Sequence, residues 1–229
     1  MSRSLPPFEL TREAVLGDAI RIMVQTADPE LQLLTPEQHR ASIEGLLERR
    51  PGRGDVWLFA YGSLIWNPLI HFLEKRIGTA RGYHRCFCLW SRGRGTVAKP
   101  GLTLGLERGG SCRGVAYRIE ERLAAHELEI VWRREMLTGA YAPRWLKLGT
   151  ESGPLHAIAF LINRAHTRYA GRLPEEKIVE TIAEAHGPLG RCATYLFNTV
   201  AHLQELGIAD HRLERLRDQV AKKMGPQPS

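Results

Sequence analysis

The sequence predicts an α+β fold, with strands and helices grouped along the chain rather than alternating. Three observations carry this: strand-like runs over residues 56–118, a helical stretch over 120–139, and a second strand-like pair before helical patterns that run to residue 223. No G-x-G-x-x-G or Gly-Lys-Ser/Thr follows the first strand, so nothing points to a doubly wound nucleotide-binding sheet.

The elements follow in order. Helical patches cover residues 13–24 and 35–49, the second opening on Thr35 as a cap with Pro36 in the first turn. The turn-rich stretch 50–55 then leads into residues 56–61, an almost unbroken apolar and aromatic run that suits a strand covered on both faces. Short strand-like runs at 85–90, 102–106 and 113–118 are separated by Gly-rich turns, and 145–148 and 155–162 form the later pair. Helices are expected near 174–186, 191–207 and 211–223, and a frayed tail over 226–229. No internal repeat is visible. The predicted organisation is an N-terminal helical extension over 1–55, one catalytic domain over 56–224, and a tail over 225–229.

Two places carry chemistry. At Gly62-Ser63 the first strand opens abruptly, and the missing side chain of Gly62 permits a turn in which successive N–H groups converge on an anion, with the Ser63 hydroxyl beside them. The alternative is a plain strand-to-loop turn. In the helix at 120–139, Leu128, Val131, Trp132 and Glu135 fall at i, i+3, i+4, i+7, which puts a carboxylate where a leucine would be expected. Desolvation raises the pKa of such a group, which suits an acid that takes and returns a proton near neutral pH. Otherwise Glu135 is an edge position paired to an arginine such as Arg134.

Taken together, Tyr61-Gly62-Ser63-Leu64, the Arg94-Gly95-Thr96…Lys99-Pro100-Gly101 loop, Gly114-Val115-Ala116-Tyr117-Arg118, Arg134-Glu135 and Gly187-Pro188-Leu189-Gly190…Tyr195-Leu196 resemble, in order and spacing, the ChaC family of γ-glutamylcyclotransferases acting on glutathione. The resemblance covers residues 56–206 and is similar to the bacterial branch, which also carries an N-terminal helical extension and a stretch like Trp132 to Gly139. It implies a small mixed β-barrel with flanking helices. It also implies a carbon–nitrogen lyase reaction, in which the γ-glutamyl α-amine of glutathione attacks its own γ-carbonyl to give 5-oxoproline and cysteinylglycine. No cofactor is implied. The family's catalytic glutamate falls on Glu135 and its substrate-binding segment on Leu58, Phe59, Ala60, Tyr61, Gly62 and Ser63, with the backbone N–H groups of 61–64, hence Leu64, as clamp for the α-carboxylate or the developing oxyanion. Arg94 matches the family's Arg-Gly loop and is a candidate for a substrate carboxylate, the alternative being a solvated loop arginine. Tyr141 and Tyr195 are candidates for pocket walls or hydroxyl donors, or else amphipathic core tyrosines. The chain departs from the pattern at Leu102, where relatives commonly carry arginine, and at Cys192, where asparagine is usual; both bear on how the glycyl end of the substrate is held, and another γ-glutamyl peptide is the alternative substrate.

Composition bounds the alternatives. The chain has 229 residues, 43% hydrophobic and 25% charged, as expected of one soluble globular domain with an appendage. The four cysteines form no C-x-x-C, Cys86 and Cys88 fall on one face of a strand, and the nine histidines form no H-E-x-x-H, so no metal is assigned. With no signal peptide or long apolar span, the expectation is a cytoplasmic protein with reduced thiols and no membrane partner. A net charge of +7 raises a nucleic-acid-binding reading, but the basic residues are scattered and no zinc finger or RNP motif is present, so none is assigned. The same positive field would draw in anionic glutathione. A non-enzymatic regulator is a third reading, against which the retention of Glu135 counts. The apolar patches of the extension suit packing on the barrel, a regulatory arm or a dimer contact alike, and the sequence sets no oligomeric state.

Overall fold

The computed structural model describes residues 10–225. Five strands, β1 (Val56–Ala60), β2 (Glu74–Ser91), β3 (Gly101–Ile119), β4 (Tyr141–Gly149) and β5 (Leu155–Ile162), close into a barrel in the order β1-β3-β2-β4-β5. The sheet is mixed: β1 pairs antiparallel with β3 (Val56 opposite Ile119) and parallel with β5 (Trp57 opposite Ala157).

The short strands expected between 85 and 118 are parts of two long ones, 18 and 19 residues, that wrap the barrel as a single hairpin. Gly109 and Gly110, which read as a turn, have φ of 103° and 71° and sit inside β3 opposite the register shift between Arg81 and Tyr83. They bend the strand without ending it. Residues 74–84 escaped the sequence reading because their polar side chains hide the alternation of a strand with one wet face.

Three helices precede the barrel: α1 (Arg12–Leu16), α2 (Ala19–Ala27) and α3 (Pro36–Glu48). The single helix expected over 13–24 is broken at Gly17-Asp18, where Asp18 takes a left-handed φ of 58°. At α3 the cap is as expected, and extends to a full capping box: the Thr35 hydroxyl accepts from the Gln38 N–H and the Gln38 side chain accepts from the Thr35 N–H. The fourth helix, α4, spans Ala124–Glu135, shorter than the expected 120–139 because Glu121–Leu123 forms a 3-10 turn before it and Gly139 adopts φ 74° after it.

α4 is covered on two sides, which decides where its last residue points. Leu128, Val131 and Trp132 are fully buried in the main core, where Trp132 meets Phe160 of β5 edge-on at 5.0 Å and donates to Ser42 of α3 at 3.1 Å. On the other side Ile130 packs with Val15, Ile20 and Leu137, so the N-terminal helices cover what the barrel does not. An ion pair fixes that docking: Arg12 donates to both oxygens of Glu127 at 2.7 and 2.8 Å, and Glu127 also accepts from the His71 N–H at 2.9 Å. Burial pushes the Glu127 pKa up, but these hydrogen bonds outweigh it and hold the group below its ordinary value.

After β5 come α5 (Glu175–Glu184), a two-residue hairpin of β6 (His186–Gly187) and β7 (Gly190–Arg191), then α6 (Cys192–Glu205) and α7 (His211–Met224). All four cysteines are free thiols; Cys88 is buried and Cys86 partly so. The tail expected over 226–229 lies outside the described residues. Among the described residues no helix is long and apolar enough to cross a membrane.

Candidate active site

The end of β1, the end of α4, the start of β4 and the first turn of α6 meet at a cavity of about 180 Å³. Tyr61, Gly62, Ser63, Leu64, Arg94, Glu135, Tyr141 and Tyr195 all line it. Leu58, Phe59 and Ala60 do not: they are fully buried in β1, and their part is to anchor the loop that follows. A residue-by-residue reading of the binding segment therefore extends too far into the strand. The side chains before Tyr61 belong to the core.

Glu135 is the last residue of α4, with a side chain 16% exposed. Burial raises its pKa, and the neighbouring Arg134 opposes the shift at an N···O distance of 3.9 Å. Its place at a helix C-terminus acts in the same upward direction, because the helix dipole disfavours negative charge there. The ion pair that would have reduced Glu135 to a structural role is weak, since Arg134 is drawn away to donate to the carbonyl of Asn67 at 2.5 Å. Glu135 hydrogen-bonds to no described residue, and among the described residues lining the cavity it is the one carboxylate.

Three tyrosines line the cavity with it, Tyr61 and Tyr195 buried and Tyr141 partly so. The Tyr61 hydroxyl donates to the Phe160 carbonyl at 2.6 Å, and the Tyr141 hydroxyl to the Leu104 carbonyl at 2.7 Å. Tyr195 differs: its oxygen accepts from the Leu104 N–H at 3.4 Å, which leaves its own proton available. Burial, and after it the nearby Glu135 carboxylate among other neighbours, pushes all three phenols above their ordinary pKa, so they stay protonated.

After Tyr61 the chain turns into a 3-10 helix at Ser63–Ile65. The N–H groups of Gly62, Ser63 and Leu64 donate to no described residue, although Gly62 and Leu64 are buried. Unpaired buried amides facing a cavity are the makings of an anion site. Gly62 has φ −136° and ψ −132°, outside the left-handed region. Space also favours glycine here, since a Cβ would meet the Tyr195 hydroxyl at 3.0 Å.

Arg94 is partly buried over the ring of Tyr195, 5.5 Å from its centroid, with its Nη1 donating to the Leu189 carbonyl and Leu189 N–H donating to Gly93 at 2.8 Å. The Arg-Gly loop and the Gly-Pro-Leu-Gly hairpin, far apart in sequence, are thus one unit at the cavity edge. Leu102 and Cys192, the two departures from the family pattern, touch each other: the Cys192 thiol donates to the Leu102 carbonyl at 3.0 Å and accepts from its N–H at 3.3 Å. Both are fully buried and neither lines the cavity.

Sequence reasoning missed two parts of the wall. Arg168, in the segment after β5, lines the cavity, and so do Leu10, Ile20, Val24 and Leu31 of the N-terminal extension. A lone loop arginine carries no periodic signal. The apolar stripe of α2 could have flagged a buried face, though not what it faces. Among the described residues no three of the types His, Cys, Asp and Glu gather as a metal site.

Comparison with known proteins bears on this cavity. A family model described as ChaC-like protein matches residues 56–223. The chain is 43% identical over 195 residues to a glutathione-specific γ-glutamylcyclotransferase of Escherichia coli (strain K12), covering 84% of each chain. It is 32% identical to glutathione-specific γ-glutamylcyclotransferase 1 of Mus musculus, covering 74% of this chain and 81% of that one. The fold is similar to the crystal structure of a γ-glutamyl cyclotransferase specific to glutathione from yeast, with a TM-score of 0.68 at 21% identity over 75% of this chain and 97% of that chain.

Proposed function

The chain belongs to the ChaC-like protein family, and from that premise we infer that it is a glutathione-specific γ-glutamylcyclotransferase in which Glu135 moves the proton. The observation that carries the assignment of Glu135 is its half-buried carboxylate, with no hydrogen bond to a described residue and only a long 3.9 Å contact to Arg134, beside unbonded backbone amides in one cavity.

The α-amine of glutathione is mostly protonated at neutral pH, so ring closure begins with proton transfer from the ammonium to Glu135. The freed amine attacks the γ-carbonyl carbon, a C–N bond forms, and the amide bond to cysteine breaks. Glu135 returns that proton to the departing nitrogen, and the second proton that the ring nitrogen sheds as the lactam forms follows the same route, so that 5-oxoproline and the ammonium form of cysteinylglycine result with no net uptake of water. The α-carboxylate is the full negative charge on the γ-glutamyl group, and a buried anion needs both donors and a counter-charge. The amides of 62–64 supply the donors and Arg94 the charge. The Tyr195 proton, which no described residue accepts, is available to the developing oxyanion. Holding the γ-glutamyl arm folded is much of the task, because nucleophile and electrophile are one molecule. Free thiols at all four cysteines fit a reducing, cytoplasmic setting.

The direct test is to incubate the protein with reduced glutathione and follow both products by mass spectrometry. Equimolar release is expected; absence of turnover of any γ-glutamyl compound by folded protein overturns the reading. Gly62→Val tests the clamp. Its side chain forces apart Gly62 and the Tyr195 hydroxyl, 3.0 Å from even a Cβ, and should lower kcat/KM on the order of 10²-fold with little change in folding. A wild-type kcat/KM would remove the 62–64 loop from substrate binding.

A further inference from the structure

Among the described residues four arginines line the cavity, Arg92, Arg94, Arg134 and Arg168, against the single carboxylate of Glu135. Two are already engaged. Arg92 is paired with Asp28, and Arg134 holds the Asn67 carbonyl beside Glu135. Neither Arg94 nor Arg168 has a carboxylate partner among the described residues. Glutathione at neutral pH carries two carboxylates, one on the γ-glutamyl group and one on glycine. Two unpaired guanidinium groups thus face a substrate with two carboxylates, and the amides of 62–64 with Arg94 account for only one.

We propose that Arg168 is a specificity-determining residue that binds the glycyl carboxylate of the substrate. The inference rests on the cyclotransferase reading above. Of the five N–H groups of its guanidinium, Nε donates to the Trp90 carbonyl at 2.7 Å and Nη1 to the Thr138 hydroxyl at 3.0 Å. Three remain unengaged by described residues, enough for a fork onto a carboxylate. The two bonds hold the plane of the group in place: Trp90 is the last but one residue of β2, and Thr138 follows Glu135 by three residues. The Arg168 backbone is fixed as well, its carbonyl accepting from the Trp90 N–H at 2.9 Å. Burial and the like charge of Arg92 act against the Arg168 cation, so an incoming carboxylate relieves a cost already present. The Tyr141 hydroxyl senses both Glu135 and Arg168, while Tyr195 senses both Glu135 and Arg94. Arg94 lies over the Tyr195 ring while Arg168 is held by Trp90 and Thr138, so the two guanidinium groups line the cavity from different supports. Leu102 and Cys192 leave this role open, since both lie below the cavity wall.

The test compares glutathione with its glycine carboxamide in the wild type, Arg168→Met and Arg168→Lys. The wild type should show a KM about 10–100-fold lower for glutathione than for the amide, as expected of a hydrogen-bonded charge pair. Arg168→Met should bring the two KM values together by raising that for glutathione far more than that for the amide. Arg168→Lys should retain part of the preference. A purely structural Arg168 would weaken both substrates alike and leave their ratio intact, which would overturn the proposal, as would a wild type indifferent to amidation. Failure of the wild type to turn over either compound would instead overturn the cyclotransferase reading itself.

Discussion

Glu135→Gln is expected to abolish most turnover of glutathione while leaving the fold intact. The amide is nearly isosteric and cannot take the ammonium proton, so kcat should fall on the order of 10²- to 10⁴-fold. The stability change has a definite sign. Burial raises the Glu135 pKa above its value of 4.5 in an unfolded chain, so the folded state binds more protons than the unfolded state between those two values. Stability is therefore lost as pH rises through that window, and at neutral pH the glutamine variant should melt at the same temperature as wild type or higher. The same shift predicts an acid limb in the wild-type kcat/KM profile at a pH above 4.5, absent from the residual activity of the variant. Activity within about threefold of wild type would remove Glu135 from the proton transfer.

Trp132→Ala should produce the largest loss of stability. The indole is fully buried between α4, β5 and α3, and its truncation leaves Phe160 without its edge-on partner and the Ser42 hydroxyl without its donor. Deleting a buried tryptophan costs about 3–5 kcal/mol, a large part of the 5–15 kcal/mol typical of a whole domain. Denaturant unfolding would read this directly, and a loss below about 1 kcal/mol would mean that the site collapses onto the cavity. Activity should fall too. Trp132 lies one helical turn before Glu135, so the packing that fixes the indole also aims the carboxylate.

Much of the site was legible in the chain. The apolar run into Tyr61-Gly62-Ser63 marked the strand end, and the helical stripe of Leu128, Val131 and Trp132 led to Glu135, because burial imposes a period on local sequence. The extent of β2 and β3 was less so. A strand with a wet face carries charged residues, and glycines that bend a strand look like glycines that end one. Gly62 was marked by its place after the strand, but its neighbour was not: a Cβ there would meet the hydroxyl of Tyr195, 133 residues away in sequence.

The sequence by itself determined the segments whose order and spacing mark the family, the strand that opens into the amide loop, the capped α3 and a carboxylate on an otherwise apolar helical face. Each is a local pattern, set by backbone geometry over a few residues. Only the tertiary structure decided that the extension walls the cavity through Ile20 and Val24, that Leu102 and Cys192 bond to each other beneath it, and that Arg168 reaches it with its charge unspent. Those facts depend on barrel closure, which joins residues distant in sequence through long-range packing, and such contacts leave no period in the chain to read.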